Sequence, residues 1–528
     1  MEFIKAFLEQ QPMMTLFLTI AIGYLVGEIN IKGFSLGVGA VLFVALAMGW
    51  FAPKSVPAAM VGTLGLALFL YTVGVQYGKQ FFSGLTSRAG RRANLIGLSG
   101  VLFAGAVSFL LMKTIGVSVG NALGLFAGAG TSTPALQAAI EALRNNDPAV
   151  GYSVSYPIGV AGPILFLYVA FLIMKPKIER SPSTGLEMLE IVVRNAGLTG
   201  KTLAEVMTTL PTGIQIVAKR RAGRNEPASL TALVAEDDIL LAVGASKEAL
   251  SQAGQRLGEE APGYIFKDRE HLDYLRVFAS RPTVVGRALG DLTLPGDNGS
   301  VILHVRRGDA DLMAQPDLVL EFGDRVGLLA NRERFMAMRK FFGDSIKGTA
   351  EFSYISIGLG MALGFLIGVV QIPLPIIGKL MVGLAGVLIV ALILGNLRRT
   401  GVMNWTIPLS ANLVLRNFGL TLFLAQVGMS SGPKFATTVS EGGLQMLGLG
   451  TVVLVALVLP IVILGLFVCH MPFDEVAGIV AGSCGNPAIL AFSNRIAPTD
   501  GPDLAYAMIF PGMTIIKILF VDIVAKLF

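Results

Sequence analysis

The chain has 528 residues, of which 53% are hydrophobic and only 14% charged, against about 25% charged in an ordinary soluble domain. With 63 glycines it reads as a helical membrane protein, in which small residues let helices approach closely, and this excludes a disordered or wholly soluble chain. The net charge of +6 is that of loops orienting a membrane protein rather than a nucleic-acid surface, and two cysteines in apolar runs, Cys469 and Cys484, imply no disulfide framework.

Apolar segments follow one another along the chain. In the first half they centre near residues 14–28, 35–52, 58–76, 94–113, 120–142 and 152–174, and in the second near 353–371, 375–395, 408–428, 444–469, 474–492 and 504–527. The first has no basic leader and no clear cleavage site, so it is expected to be a retained span. Between the halves lies a charge-rich stretch holding 43 of the 76 Asp, Glu, Lys and Arg residues, from Ser181 to Ala350.

The halves are copies. Residues Gly65 to Phe81 reappear as Gly419 to Phe435, nine of seventeen identical without a gap, at an offset of 354. At the same offset Gly124, Ala127 and Gly128 match Gly478, Ala481 and Gly482, and Tyr152 and Pro157 match Tyr506 and Pro511. With one residue of slippage, Thr133-Pro134-Ala135 pairs with Asn486-Pro487-Ala488. The fifth segment of each half is short and interrupted by a polar cluster, so it is predicted to be a re-entrant or broken helix. That leaves five crossings of roughly 20 residues per half, and an odd number inverts one half relative to the other. The fold class is therefore a polytopic α-helical membrane protein of two inverted repeats with an α+β insert. Loop charge at Lys79, Arg88, Arg91, Arg92, Lys175, Lys177, Arg180, Arg398 and Arg399 places the insert in the cytoplasm and both termini outside.

The two interruptions carry the chemistry. One reads Gly128-Ala-Gly-Thr131-Ser132-Thr133-Pro134, the other Gly482-Ser483-Cys484-Gly485-Asn486-Pro487. Glycine lets the chain unwind, and Thr or Asn before Pro is a helix-start signature. Backbone that unwinds at membrane depth is tolerated only where it is buried in protein or lines a cavity. The new helix N-termini offer free N–H donors and partial positive charge to an anion. A substrate site for a small anionic or zwitterionic solute is expected there; the alternative is a pair of proline kinks that only shape packing. Among ionisable residues in apolar runs, Lys517 could neutralise a carboxylate, or instead pair with Asp522 or snorkel to an interface. Arg416 is the other candidate cation, with interface anchoring as its alternative. Gln76 and Gln426 could line the path or bridge helices. No Walker A sequence, dinucleotide fingerprint or His/Cys metal spacing occurs, so no enzyme activity, cofactor or metal is expected.

The insert is itself duplicated at an offset of 86 residues: Gly200-Lys-Thr-Leu203 matches Gly286-Arg-Ala-Leu289, and Ile216, Arg220, Arg221 and Asp238 match Ile302, Arg306, Arg307 and Asp324. Each copy reads strand, short helix, two or three strands, helix. The basic pairs Arg220-Arg221 and Arg306-Arg307 could bind an anionic ligand, or be the solvated charges of a β-edge.

The insert copies, with Gly200-Lys-Thr-Leu203 near the start and Val234-Ala-Glu-Asp-Asp-Ile-Leu-Leu-Ala-Val-Gly244 near the end, resemble TrkA-C domains, the C-terminal lobes of potassium-conductance regulators. Two of them between halves bearing Gly130-Thr-Ser-Thr-Pro-Ala-Leu136 and Gly485-Asn-Pro-Ala-Ile489 resemble the aspartate:alanine exchanger family. The resemblance implies a bacterial inner-membrane antiporter exchanging aspartate for alanine or related carboxylates, a homodimer, an elevator-type motion, and a nucleotide as a ligand of the insert. The expected organisation is a membrane repeat at 1–178, TrkA-C copies at 183–262 and 265–347, and a second repeat at 352–528. The alternative is a nucleotide-gated channel or monovalent cation transporter; the absence of a Thr-Val-Gly-Tyr-Gly filter lowers that reading.

Overall fold

In the computed structural model, residues 2–29, 37–176, 178, 186–244, 246–261, 263–267, 271–296, 300–307, 310–345, 353–374, 378–401 and 403–527 are described. Contacts divide the chain into two units. One is made of Met1–Arg180, Tyr354–Arg398 and Asn412–Phe528, the other of Ser181–Ser353 and Arg399–Ala411.

In the helical unit three long apolar helices recur in each half: Ala59–Thr86, Arg88–Ile115 and Asp147–Met174, then Leu409–Thr437, Gly442–Val468 and Gly501–Leu527. Shorter apolar helices complete the pattern, Pro12–Gly27 and Gly37–Phe51 matching Tyr354–Gly368 and Ala385–Leu397. Helix Arg88–Ile115 shows why such sequences form spans. Ser87 caps its start by accepting from Gly90 N at 3.1 Å, and Gly116, at φ +75°, ends it. Its buried face runs Ile96, Gly100, Ala104, Ser108, Leu111, while Leu95, Leu102, Phe103 and Leu110 point outward. Small residues inside and large apolar ones outside is the pattern of a helix facing lipid.

Glycines at reciprocal positions join the halves. A Cβ on Gly65 would sit 2.5 Å from Gly419 O, and one on Gly419 would sit 2.5 Å from Gly65 O. A Cβ on Gly78 would sit 2.4 Å from Leu392 O, and one on its repeat mate Gly432 would sit 2.4 Å from Leu46 O. Contacts that exchange on swapping the halves belong to a two-fold relation.

The expected polar breaks are present in both fifth segments. Helix Val119–Ala129 gives way to Thr133–Leu143, and Phe473–Cys484 gives way to Pro487–Ile496. Each piece is about 18 Å long at most, well short of a bilayer core of about 30 Å. Two boundaries differ from the sequence reading. An extra helix, Glu2–Gln10, precedes the first span. The segment expected at 375–395 becomes helical only at Ala385, because Gln371–Leu374 pairs with Gly378–Met381 as a small hairpin; residues 375–377 lie outside the described ones.

The second unit holds two antiparallel sheets. The first has β1 (Glu187–Val193), β2 (Ile214–Arg221), β3 (Arg224–Pro227), β4 (Ile239–Gly244) and β5 (Gly258–Glu260) in the order β3-β2-β4-β1-β5. The second has β6 (Asp273–Phe278), β7 (Ser300–Arg307), β8 (Ala310–Met313) and β9 (Arg325–Ala330) in the order β6-β9-β7-β8. Duplication extends to detail: a bulge between Ile216 and Ala218 recurs between Ile302 and His304. Val217, Ala218, Leu241 and Val243 of the first sheet share a buried core with Leu303 and Leu329 of the second.

The basic pairs of the insert are engaged internally. Arg221 donates to both oxygens of Asp238 at 2.7 and 2.5 Å and to Leu233 O. Arg307 repeats this with Asp324 at 2.9 and 2.7 Å and with Val319 O. Each aspartate side chain is 1% exposed and also accepts a loop N–H, from Ala235 or Glu321. Arg220 donates to Asn225 Oδ1 and Tyr264 O, and Arg306 lies 3.9 Å from Asp311. Arg307→Ala would leave Asp324 buried without its cation. A loss of about 1–3 kcal/mol is expected, since the arginine is itself partly exposed, and limited proteolysis of the full-length protein should show faster cleavage of the insert.

Candidate functional site

Each break follows from local chemistry. Helix Val119–Ala129 ends at Gly130, and Thr131 then takes φ +41°, a left-handed conformation that costs a non-glycine residue on the order of 1 kcal/mol. Ser132 donates its N–H back to Ala127 O at 2.7 Å, and the next helix opens with Pro134 in its first turn. At the second break Gly485, at φ +81°, ends helix Phe473–Cys484 by donating to Ala481 O at 2.7 Å. Asn486 caps the following helix, its Oδ1 accepting from Ala488 N at 2.8 Å. The other start differs. No side chain caps the helix at Ser132, whose buried Oγ has no hydrogen-bond partner.

The two breaks meet. Thr131 Oγ1 donates to Cys484 O at 2.9 Å. Lys517, 2% exposed in helix Gly501–Leu527, donates from Nζ to Gly130 O at 2.9 Å and Cys484 O at 3.3 Å. The pairing of Lys517 with Asp522 weighed from the sequence is not formed, and neither is snorkelling: the ammonium is buried on main-chain carbonyls. Asp522 lines a separate cavity of about 280 Å³ with Glu141, Arg144 and Lys526.

A cavity of about 60 Å³ opens at the junction, several times the 10–15 Å³ that one water occupies. Its wall includes Thr131, Ser132, Thr133 and Pro134 from the first break, and Cys484, Gly485, Asn486 and Pro487 from the second. Arg416 and Asn417 come from helix Leu409–Thr437, and Phe69 and Val73 from Ala59–Thr86. Tyr156, Tyr506, Phe510 and Thr514 close it. The wall carries one guanidinium and no carboxylate, so its field favours an anion. Gln76 accepts from Arg416 Nη1 at 3.2 Å and thereby orients the guanidinium. Thr133 Oγ1 shares a 3.2 Å hydrogen bond with the Tyr152 hydroxyl.

Four expected residues stand outside the wall. Lys517 lies behind it on the carbonyls, and Gln76 behind Arg416. Ser483 is fully buried beside Gly97, and Gln426 packs against Gly62. Gly62 is the repeat mate of Arg416 at the offset of 354, so the guanidinium has no twin. The sequence reading missed Tyr156, Phe510, Asn417 and Thr514. One signal was available: Tyr156 and Phe510 are aromatic repeat mates at the same offset.

A family profile described as a predicted permease membrane region, that of the aspartate:alanine exchangers, matches residues 15–172 and 356–526. A TrkA-C domain profile matches residues 274–343. An uncharacterized transporter of Geobacter sulfurreducens is 37% identical, the match covering 97% of this chain and 98% of that one. Uncharacterized transporters of Corynebacterium efficiens and Symbiobacterium thermophilum are 34% and 36% identical over 97% and 98% of this chain, and 98% of their own lengths. A solved RCK domain, that of GsuK, matches 32% of this chain and 66% of its own at 13% identity and a TM-score of 0.16, too weak a likeness to bear on the fold.

The two helix starts should respond differently to truncation. Asn486→Ala removes a cap and is expected to cost about 1 kcal/mol. Ser132→Ala removes a hydroxyl without a partner and should change stability by less than about 0.5 kcal/mol. Thermal melts of the purified protein in detergent distinguish them.

Proposed function

From a chain that belongs to the aspartate:alanine exchanger family, built as a transporter, we propose an antiporter that exchanges small carboxylate-bearing solutes, aspartate for alanine or related amino and organic acids. The observation that carries this reading is the cavity shared by the two breaks. Its wall offers the Arg416 guanidinium, the unpartnered Ser132 hydroxyl and the uncapped helix start at Thr133, and no carboxylate. Guanidinium and helix N-terminus are the groups that hold a carboxylate away from bulk water. A family of exchangers and a site for one solute at a time agree with alternating access, in which each solute occupies the cavity in turn.

We extend the proposal to the motion and its setting. The broken pairs and the helices packed on them move as a body between the two faces of a bacterial inner membrane, in an elevator-type step. The insert lies in the cytoplasm and both termini outside, a reading that the loop charge supports. The chain works as a homodimer, and the TrkA-C copies bind an anionic ligand such as a nucleotide that adjusts transport.

Uptake of labelled aspartate into proteoliposomes tests the reading. Vesicles preloaded with alanine or aspartate should take up label, and empty ones should not. Ser132→Ala should weaken half-saturation about 3- to 10-fold, the equivalent of one hydrogen bond. Potassium or sodium flux without amino-acid exchange would overturn the proposal.

A further inference from the structure

The last residues of an α-helix leave carbonyls without intrahelical partners, and the helix dipole concentrates negative potential there. Where helices break inside a membrane, those carbonyl ends are the groups that coordinate a coupling sodium ion. Here two such ends converge: Gly130 O closes the first half-helix of one repeat, and Cys484 O closes its mate in the other. A cation already sits on both. Lys517 Nζ is 2.9 Å from one and 3.3 Å from the other, and the residue is 2% exposed. Thr131 Oγ1 adds a third link by donating to the same Cys484 oxygen. Among the described residues no ion pair involves Lys517, so carbonyl dipoles balance its charge. The repeat mate of Lys517 is Pro163, which has no donor, so a single ammonium serves both breaks.

We infer that Lys517 is the resident cation of the transport site, its ammonium occupying the carbonyl position at which a coupling monovalent cation would bind. The exchanger accordingly carries no sodium at this point, and its two breaks stay joined through both halves of the exchange. Lys517 acts on the solute through the breaks it holds in place, so it is a positioning residue. The inference rests on the proposed exchange cavity for its meaning, but its ion chemistry can be read without transport.

The test uses purified full-length protein in detergent, with melting midpoints taken in sodium, lithium, methylammonium and choline chlorides at equal ionic strength. The wild type should melt at the same temperature in all four. Lys517→Ala vacates the carbonyls; its midpoint should fall in choline and rise again with sodium, lithium or methylammonium. Lys517→Gln keeps a donor without the charge and should show no such rescue. Sodium-specific stabilisation of the wild type would overturn the inference, and this outcome is readable even where Lys517→Ala does not fold. A folded Lys517→Ala indifferent to every small cation would overturn it as well. Exchange assays on the same samples separate the two claims: wild-type exchange that proceeds in choline supports resident charge, and exchange that demands sodium contradicts it. Absence of exchange from every preparation would count against the exchange reading alone, leaving the melting result to stand.

Discussion

The arrangement depends on backbone meeting backbone where no side chain fits. At Gly65 and Gly419 the two repeats touch through each other's carbonyl oxygens at distances a Cβ would violate, and Gly78 and Gly432 repeat this with the neighbouring short helices. Helix association in lipid gains little from the hydrophobic effect, because the tails are as apolar as the side chains. Close van der Waals approach is what remains, and glycine allows it. Once the halves are locked about this two-fold, the break of one repeat lies beside the break of the other.

Two-fold scaffolds build symmetric cavities, yet the carboxylate solute proposed for this one needs net positive charge. The chain resolves this by placing both relevant cations in the second half. The repeat mate of Arg416 is Gly62 and that of Lys517 is Pro163. The two divide the work: Arg416 stands on the cavity wall, steadied by Gln76, and Lys517 stands behind it on the carbonyl ends. The helix starts are also unequal. Asn486 spends its side chain on its own helix, while Ser132 keeps its hydroxyl unused.

Much of this was legible in the chain because the signals are local. Gly-Thr-Ser-Thr-Pro and Gly-Asn-Pro fix unwinding and restart within a few residues, and recurrent Gly, Pro and Tyr at one offset expose the duplication. The insert was legible for the same reason, its residues and strand pattern repeating at 86 residues. What escaped depends on distance. The partners of Lys517 are carbonyls, which carry no side-chain signature, and Gly130 lies 387 positions away. Tyr156 and Phe510 sit in apolar helices where an aromatic facing a cavity and one facing lipid read alike. The paired strands Gln371–Leu374 and Gly378–Met381 lay hidden in an apolar run long enough to pass for a span.

The central claim is that the two breaks form one site, and chemical linkage tests it most directly. With Cys469→Ser, Cys484 is the remaining native thiol, and Thr131→Cys puts a second beside it. After treatment with a short bifunctional thiol reagent, the insert is cut by protease and the halves are run on a denaturing gel. The account predicts that the halves stay joined, and that aspartate present during the reaction slows the joining. Halves that separate, although each thiol alone is labelled by a single-ended reagent, would contradict it.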